Sequence, residues 1–377
     1  MIYKEVFGEK LSALGLGCMR FPLVEGTEDV DMVATGNMVD YAIAGGVNYF
    51  DTAWFYHNGT SESVMGELLE KYPRNSYYLT TKFPGYTAKN LVRKEEIFEE
   101  QLKRCRTEYF DFYLCHTVND DNVDLYVDPQ YGLIPYLAEQ KRLGRIRHLG
   151  FSNHGSLETV KKFIAACDGV MEFCQVQLNW LDWDFQKAGA LVAYLNEIGM
   201  PIWVMEPLRG GSLCNLAPKY TNILQSIAPD RSLPAWGFRY LQTIPGVAVV
   251  LSGMSNMAQL QENMGIFREN APLSTQEVQA LMEISRDLTA ANKIPCTKCK
   301  YCVAYCPQKL DIPGLIELYN GYAYTPGGFI APEQVKELPA EQLPAACVGC
   351  GACEAVCPQK IEIRKMKDDF TARICHK

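Results

Sequence analysis

No uninterrupted apolar run in the 377 residues reaches the ~18–20 needed to span a bilayer, which excludes a membrane-crossing helix from the expected architecture. Basic residues are not in excess either. Lys and Arg total 36 against 44 Asp and Glu, leaving a formal charge of −8, which argues against nucleic acid or an anionic membrane as the main partner. The opening Met1-Ile2-Tyr3-Lys4-Glu5-Val6 has no basic stretch followed by an apolar one, so no secretory signal is visible. The expectation is a cytoplasmic protein with reduced thiols. A Gly-x-Gly-x-x-Gly fingerprint is also missing after the first expected strand. Leu14-Gly15-Leu16-Gly17-Cys18 runs on into Met19-Arg20-Phe21-Pro22 rather than into a helix, which speaks against a doubly wound dinucleotide-binding sheet.

Cysteine and a strand–helix rhythm are what the chain has in quantity. Hydrophobic residues make up 48% and charged residues 21%, enough apolar content for a full core. Short apolar runs alternate with amphipathic stretches as far as about Phe267. Strands are expected at 14–20, 48–53, 77–82, 110–116, 148–152, 173–178, 201–206 and 247–252. Helices are expected at 31–44, 61–71, 94–106, 130–142, 156–166, 185–198, 233–242 and 257–264. Eight such repeats over roughly 260 residues match the size and rhythm of a (β/α)₈ barrel. Past residue 272 the pattern changes to one amphipathic helix at 274–288, two cysteine runs, and a proline- and glycine-rich insert at 322–344 that includes Pro326, Gly327 and Gly328. The expected chain is α/β: a (β/α)₈ TIM barrel over 1–272, then a linker helix and a loop-rich α+β cysteine-rich domain over 273–377.

Eight of the 15 cysteines form the two runs, Cys296-x₂-Cys299-x₂-Cys302-x₃-Cys306-Pro307 and Cys347-x₂-Cys350-x₂-Cys353-x₃-Cys357-Pro358. Three thiolates spaced by two residues can wrap corners of one iron–sulfide cube, and in the two-cluster arrangement the fourth cysteine reaches the other cube. One [4Fe–4S] cluster is therefore assigned to Cys296, Cys299, Cys302 and Cys357, and the second to Cys347, Cys350, Cys353 and Cys306. Zinc is the alternative, but it favours paired cysteines closing on one ion. The tail resembles a bacterial two-cluster ferredoxin domain with an insert between its halves. Cys18, Cys105, Cys115, Cys167, Cys174, Cys214 and Cys375 read as ordinary, mostly buried thiols.

In a barrel of this kind chemistry sits where strands end. The second strand ends in Asp51-Thr52-Ala53-Trp54-Phe55-Tyr56, the third in Lys82-Phe83-Pro84, and the fourth in Cys115-His116-Thr117. An Asp, a Tyr, a Lys and a His thus stand at three consecutive outlets. A carbonyl accepting hydride develops charge on oxygen and needs a proton donor there. A tyrosine with pKa of about 10 is too weak an acid alone, and the expectation is that the adjacent Lys82 ammonium lowers it. Asp51 would hold Lys82 in place and charged. His116 would donate a hydrogen bond to the carbonyl and its developing oxyanion.

On these residues the first 270 or so positions resemble the aldo-keto reductases, whose Asp–Tyr–Lys–His tetrad reduces carbonyls with a nicotinamide cofactor. The resemblance implies tetrad roles for Asp51, Tyr56, Lys82 and His116. It implies carboxamide-binding roles for Ser152, Asn153 and Gln175, and a ring-stacking role for Met205. It also implies that Gly210, Gly211, Gly253, Gln259 and Asn263 hold the cofactor's pyrophosphate and adenosine. Where relatives place a Lys and an Arg for the 2′-phosphate, this chain has Ser252-Gly253-Met254-Ser255 and Gln259, so NAD(P)H binding is expected to lean to NADH. His57 stands where a glycine commonly follows the catalytic Tyr. Trp54 and Trp180 are expected to line an apolar substrate pocket.

The two halves imply different electron counts. A nicotinamide moves a hydride and a [4Fe–4S] cluster moves one electron, and a flavin is the usual means of splitting the pair. The expected function is an oxidoreductase reducing a small carbonyl substrate, with two [4Fe–4S] clusters for electron transfer. A cluster- and flavin-linked one-electron enzyme served by ferredoxin or another redox partner is one alternative. A non-catalytic redox-sensing or electron-carrier protein is the other.

Overall fold

The structure, a computed structural model, describes residues 1–292, 294, 296, 299–323 and 330–374, so Pro326, Gly327, Gly328 and Cys375 lie outside the described residues. The chain divides into two compact units, one of 1–207 with 234–274, the other of 208–233 with 275–377.

The first unit begins with a hairpin of β1 (Tyr3–Val6) and β2 (Glu9–Ser12). Eight parallel strands follow: β3 (Leu14–Gly17), β4 (Tyr49–Asp51), β5 (Tyr78–Phe83), β6 (Phe110–Val118), β7 (Ile146–Asn153), β8 (Phe173–Gln177), β9 (Ile202–Met205) and β10 (Val247–Gly253). They close into a barrel in chain order, with β10 pairing back onto β3. β6 shows why these runs become strands. It is buried along almost its whole length without in–out alternation, as a strand between a barrel interior and an outer helix must be. The helices start at side-chain caps. The carboxylate of Asp31 accepts from the Val33 and Ala34 amides ahead of Met32–Ala44, and Ser156 accepts from the Thr159 amide ahead of Leu157–Ala166.

Tyr49, Phe112, Phe173, Trp203, Val249 and Leu251 are among the buried residues filling the barrel. The Phe173 and Trp203 rings lie 4.4 Å apart. Gly15 makes room for this packing: a Cβ there would stand 2.7 Å from the Leu251 side chain and 3.2 Å from the Tyr49 ring. At the hairpin tip Phe7 stacks on His148 at 4.7 Å, near the start of β7, so the hairpin covers the end of the barrel opposite the strand outlets. At the outlet end, strand register sets Asp51 beside Thr80, Lys82 beside Leu114, Ser152 beside Gln175 and Gln177 beside Met205.

All eight expected barrel strands are present. The hairpin was not expected, and the expected helix at 185–198 is two helices, Asp182–Phe185 and Ala188–Glu197, parted by Lys187 at φ 58°.

In the second unit the segment 208–233 carries the helix Pro218–Ile227, which packs on the long helix Thr275–Asn292. Tyr220 donates to Asp287 at 3.0 Å, and Arg231 pairs with Glu277 at 2.6 Å. The two cysteine runs fold as copies of one another. Short helices Tyr301–Ala304 and Ala352–Ala355 each carry the third cysteine of a run, and longer helices Ile312–Ala323 and Ile363–Ile374 follow. Leu310 and Ile361, Ile312 and Ile363, Leu315 and Met366, and Tyr319 and Phe370 occupy corresponding places in or against one core. Among its described residues this tail holds helices and loops and no β-strand, where an α+β arrangement was expected. No described helix is long and apolar enough to cross a membrane.

Candidate active site

Lys82, fully buried on β5, is the centre of the outlet-end geometry. Its Nζ donates to Asp51 Oδ1 at 2.5 Å, to the Thr52 carbonyl at 2.8 Å and to Tyr56 Oη at 3.3 Å. All three ammonium hydrogens are thereby used. The Lys82 backbone is held from behind: its carbonyl accepts from Gln101 Nε2 at 3.0 Å, and the same amide donates to the buried Glu62 at 2.7 Å. Glu62 also accepts from Thr81 at 2.6 Å, and Tyr113 closes the network on Gln101 Oε1 at 2.5 Å. The His116 ring stands 6.0 Å from the Tyr56 ring and nearly perpendicular to it.

The charges differ from expectation in one respect. Burial, and after it the Asp51 carboxylate, Cys18 and Glu206, push the Tyr56 phenol well above 10. The expected lowering by Lys82 is not seen, because burial disfavours the phenolate and the Asp51 carboxylate, itself 2.5 Å from Lys82, opposes it. Burial also raises Asp51 above 3.8, with Lys82 opposing. His116 is held well below 6.5 by burial, then by the Lys82 and His154 charges. The site therefore presents a neutral phenol and a neutral imidazole beside one compensated ion pair. Two hydrogen-bond donors can be aimed at one oxygen there without any side chain ionising.

Ser152 and Asn153 end β7 and Gln175 lies on β8, all buried. Ser152 Oγ accepts from the Thr117 amide at 2.7 Å, while Asn153 is taken up locally, bonding both polar groups of Gly155. Gln175 Oε1 is buried with no partner. Met205 ends β9, half-buried. Asn263 donates to Ser252 at 3.2 Å, and exposed Gln259 accepts from the Ser255 amide at 2.8 Å. Gly253 is exposed, and the stem of Arg20 lies against it, with Arg20 Cδ 3.0 Å from where a Cβ would stand. A cation thus sits beside Gly253 that inspection of the last strand alone passes over. Gly210 and Gly211, at φ 64° and 91°, belong to the second unit.

Trp180 is buried and Trp54 lies under the Arg104 guanidinium at 3.8 Å, on a helix of the barrel's outer ring. The aromatic surface beside His116 comes instead from Phe55, which is 53% exposed, and Tyr86, whose rings stack at 5.9 Å. Tyr86 was not foreseen. It lies beyond Lys82 in a loop, at no motif spacing, and its hydroxyl is hydrogen-bonded to His116 Nδ1.

Residues 13–286 match the aldo/keto reductase family and residues 295–362 a 4Fe-4S dicluster domain. The chain belongs to the aldo/keto reductase family. It is 27% identical to the uncharacterized oxidoreductase YqkF of Bacillus subtilis, over 72% of this chain and 92% of that protein. It is 26% identical to the L-galactose dehydrogenase of Arabidopsis thaliana, over 75% of this chain and 94% of that one. The NADH-specific methylglyoxal reductase of Escherichia coli is 24% identical over 64% of this chain and 85% of its own length. Among solved structures, the holo form of aldo-keto reductase AKR11C1 from Bacillus halodurans superposes with a TM-score of 0.63 at 23% identity, covering 75% of this chain and 96% of that one, a likeness of fold.

An aldo/keto reductase of this kind uses NAD(P)H, and the donor set suits one: the partnerless Gln175 Oε1 is the acceptor that a carboxamide N–H requires. The dicluster domain implies two [4Fe–4S] clusters. Cys306, Cys347, Cys350 and Cys353, the set assigned to one cube, together line one pocket walled by Leu310, Ile312, Leu315, Ile363 and Met366. Of the other set, Cys302 is buried, Cys296 and Cys357 pack on the same core, and Cys299 is exposed. Among the described residues no three Cys, His, Asp or Glu side chains converge on a point suited to a single ion. Cys18, Cys105, Cys115, Cys167 and Cys174 are buried free thiols, and Cys214 is half-buried.

Proposed function

We propose that the barrel reduces a small carbonyl compound, with Asp51, Tyr56, Lys82 and His116 as the catalytic set. The observation that carries this is Lys82 Nζ bridging Asp51 Oδ1 and Tyr56 Oη in a fully buried site, 2.5 and 3.3 Å from each. Ser152, Asn153 and Gln175 would hold the nicotinamide carboxamide, Met205 would lie against its ring, and Gly210, Gly211, Gly253, Gln259 and Asn263 would serve the rest of the dinucleotide. When bound, the reduced nicotinamide supplies the hydride. Tyr56 Oη donates the proton to the carbonyl oxygen as charge builds there, and Lys82, already bonded to that phenol, stabilises the phenolate left behind. Asp51 keeps Lys82 charged in a buried place. His116 donates to the same oxygen and orients it.

A phenol this reluctant to ionise loses its proton only to a strong base, and the oxyanion formed by hydride arrival is one. Phe55 and Tyr86 give the mouth an aromatic side that suits an apolar or aromatic carbonyl, with Trp54 and Trp180 as supporting packing. The cofactor leans to NADH, as in the methylglyoxal reductase relative, because Gly253 and Gln259 bring no charge to a 2′-phosphate. The setting is cytoplasmic, and the barrel domain takes in residues 1–272. The experiment is to follow consumption of NADH and NADPH by the anaerobically purified chain across a panel of aldehydes and ketones. Absence of turnover with every carbonyl would overturn the reading.

We further propose that the tail delivers single electrons from a ferredoxin-like carrier rather than bracing alone, since two [4Fe–4S] clusters are two one-electron centres. Replacing Cys302 and Cys353 by Ser should abolish turnover driven by reduced ferredoxin or a viologen while sparing turnover driven by NADH. Unchanged one-electron turnover would leave bracing as the tail's role.

A further inference from the structure

We infer that Tyr86 is a positioning residue that fixes the tautomer of His116, so that the ring's single hydrogen sits on Nε2 and faces the substrate. A neutral imidazole has one N–H and one bare nitrogen, and which is which follows from the partner each nitrogen has. His116 is neutral, and a catalytic role as donor requires the hydrogen on the nitrogen nearer the substrate oxygen. Its Nδ1 is bonded to the Tyr86 hydroxyl, and Nε2 has no protein partner among the described residues. A phenol hydroxyl donating to Nδ1 occupies that nitrogen's lone pair and leaves the hydrogen on Nε2.

The chain builds this contact deliberately. Tyr126, fully buried, donates its hydroxyl to the His116 carbonyl and accepts from the Gly85 amide at 3.0 Å, tying the Tyr86 loop to the end of β6. Gly85 is what permits the approach, since a Cβ there would lie 2.3 Å from the Tyr126 ring. The Tyr86 and His116 ring centroids are 5.4 Å apart, and the far side of Tyr86 stacks on Phe55. The hydroxyl is thereby aimed at Nδ1 by packing on one side and by Tyr126 on the other. A histidine without that partner would divide its hydrogen between two nitrogens and present a lone pair to the carbonyl oxygen for part of the time, which repels it.

The catalytic consequence rests on the carbonyl-reductase reading, but the tautomer does not. The test is heteronuclear NMR of the ring nitrogens in the full chain without cofactor, with His116 assigned by its loss in His116→Gln. The wild-type ring should show a protonated Nε2 and a bare, hydrogen-bonded Nδ1. In Tyr86→Phe, which keeps the ring and removes only the hydroxyl, the two nitrogen shifts should move toward each other as the tautomers mix. Under turnover the same variant should lose about tenfold in kcat with KM little changed, since one neutral hydrogen bond is at stake. A wild-type hydrogen on Nδ1, or a Tyr86→Phe spectrum unchanged from wild type, would overturn the assignment. Loss of all carbonyl turnover in the wild type alongside the expected spectra would instead reject the activity and leave the tautomer claim standing.

Discussion

Double replacement of cluster ligands distinguishes crossed from uncrossed ligation by counting iron. Cys306 belongs by chain position to the first run, yet it lines the cavity formed with Cys347, Cys350 and Cys353 of the second. If one cube sits there, Cys306→Ala and Cys350→Ala strike the same cluster, and removing both costs nothing beyond the first loss. The complete protein should carry about eight irons and eight sulfides per chain. Cys306→Ala/Cys350→Ala should keep about four of each, whereas Cys302→Ala/Cys350→Ala, with one ligand taken from each set, should keep close to none. Uncrossed ligation predicts the reverse for the first pair, since Cys306 would then serve the Cys296–Cys302 cube and both clusters would go. The assay is iron and acid-labile sulfide analysis after anaerobic purification, with the reduced protein's paramagnetic spectrum reporting whether one cluster or two interacting clusters remain. The surviving core should hold the fold in the first variant, because Leu310, Ile312, Ile363, Met366 and Phe370 are all buried in it and untouched. Near-zero iron in Cys306→Ala/Cys350→Ala with about four in a matching pair drawn from one run alone would refute the crossed arrangement.

Lys82→Met should abolish reduction and destabilise the barrel by about 3–5 kcal/mol, because it strands a buried carboxylate. Burial holds Asp51 above 3.8 in the folded chain, so the folded state binds that proton more readily, and the stability tied to this group falls as pH rises from 3.8 through the folded value. Without Lys82 that window extends upward. The deficit of Lys82→Met should therefore shrink as pH is lowered toward the carboxylate range in thermal unfolding followed by circular dichroism, and a deficit that stays constant with pH would contradict the pairing. With Tyr56 held well above 10 and His116 well below 6.5, the catalysed step should be flat between pH 6.5 and 10, and an inflection near 6.5 that vanishes in His116→Gln would contradict a neutral imidazole. NADH should bind more tightly than NADPH when both are titrated, since each charge-assisted bond missing at the 2′-phosphate forfeits roughly 1.5–3 kcal/mol. Preference for NADPH that disappears in Arg20→Ala would show that the cation against Gly253 reaches that phosphate.

The barrel and the tetrad were legible because their signals are local. Each strand is a short apolar run, and Asp51, Lys82 and His116 each stand at a strand outlet where register alone brings them together. The cysteine ladders were legible for the same reason, since spacing within a run limits which thiolates can share a cube. The hairpin was not, because Tyr3–Val6 is largely exposed and carries no apolar period to read. Tyr86 escaped notice because its hydrogen-bond partner His116 is thirty residues away in the chain and only folding brings the two together. The direction of the Tyr56 shift was misjudged because Asp51 was weighed only as the partner of Lys82 and not for its own charge at the phenol, and because burial, the larger cause, depends on three-dimensional packing. Trp54 was read as pocket lining from its place after a strand, while the Arg104 side chain that covers it comes from a helix fifty residues on. What sequence position cannot convey is which face of a residue its distant neighbours occupy.

The central claim is that Tyr56 is the proton donor of a carbonyl reduction. Tyr56→Phe removes one hydroxyl and leaves Lys82 bonded to Asp51 at 2.5 Å and to the Thr52 carbonyl at 2.8 Å, so the fold and cofactor binding should survive. The decisive measurement is the single-turnover rate of NADH oxidation by a good carbonyl substrate, wild type against Tyr56→Phe, with cofactor affinity measured on both. Affinity should be unchanged and the rate lower by roughly 10²–10⁴-fold. A Tyr56→Phe rate equal to wild type would contradict proton donation by Tyr56.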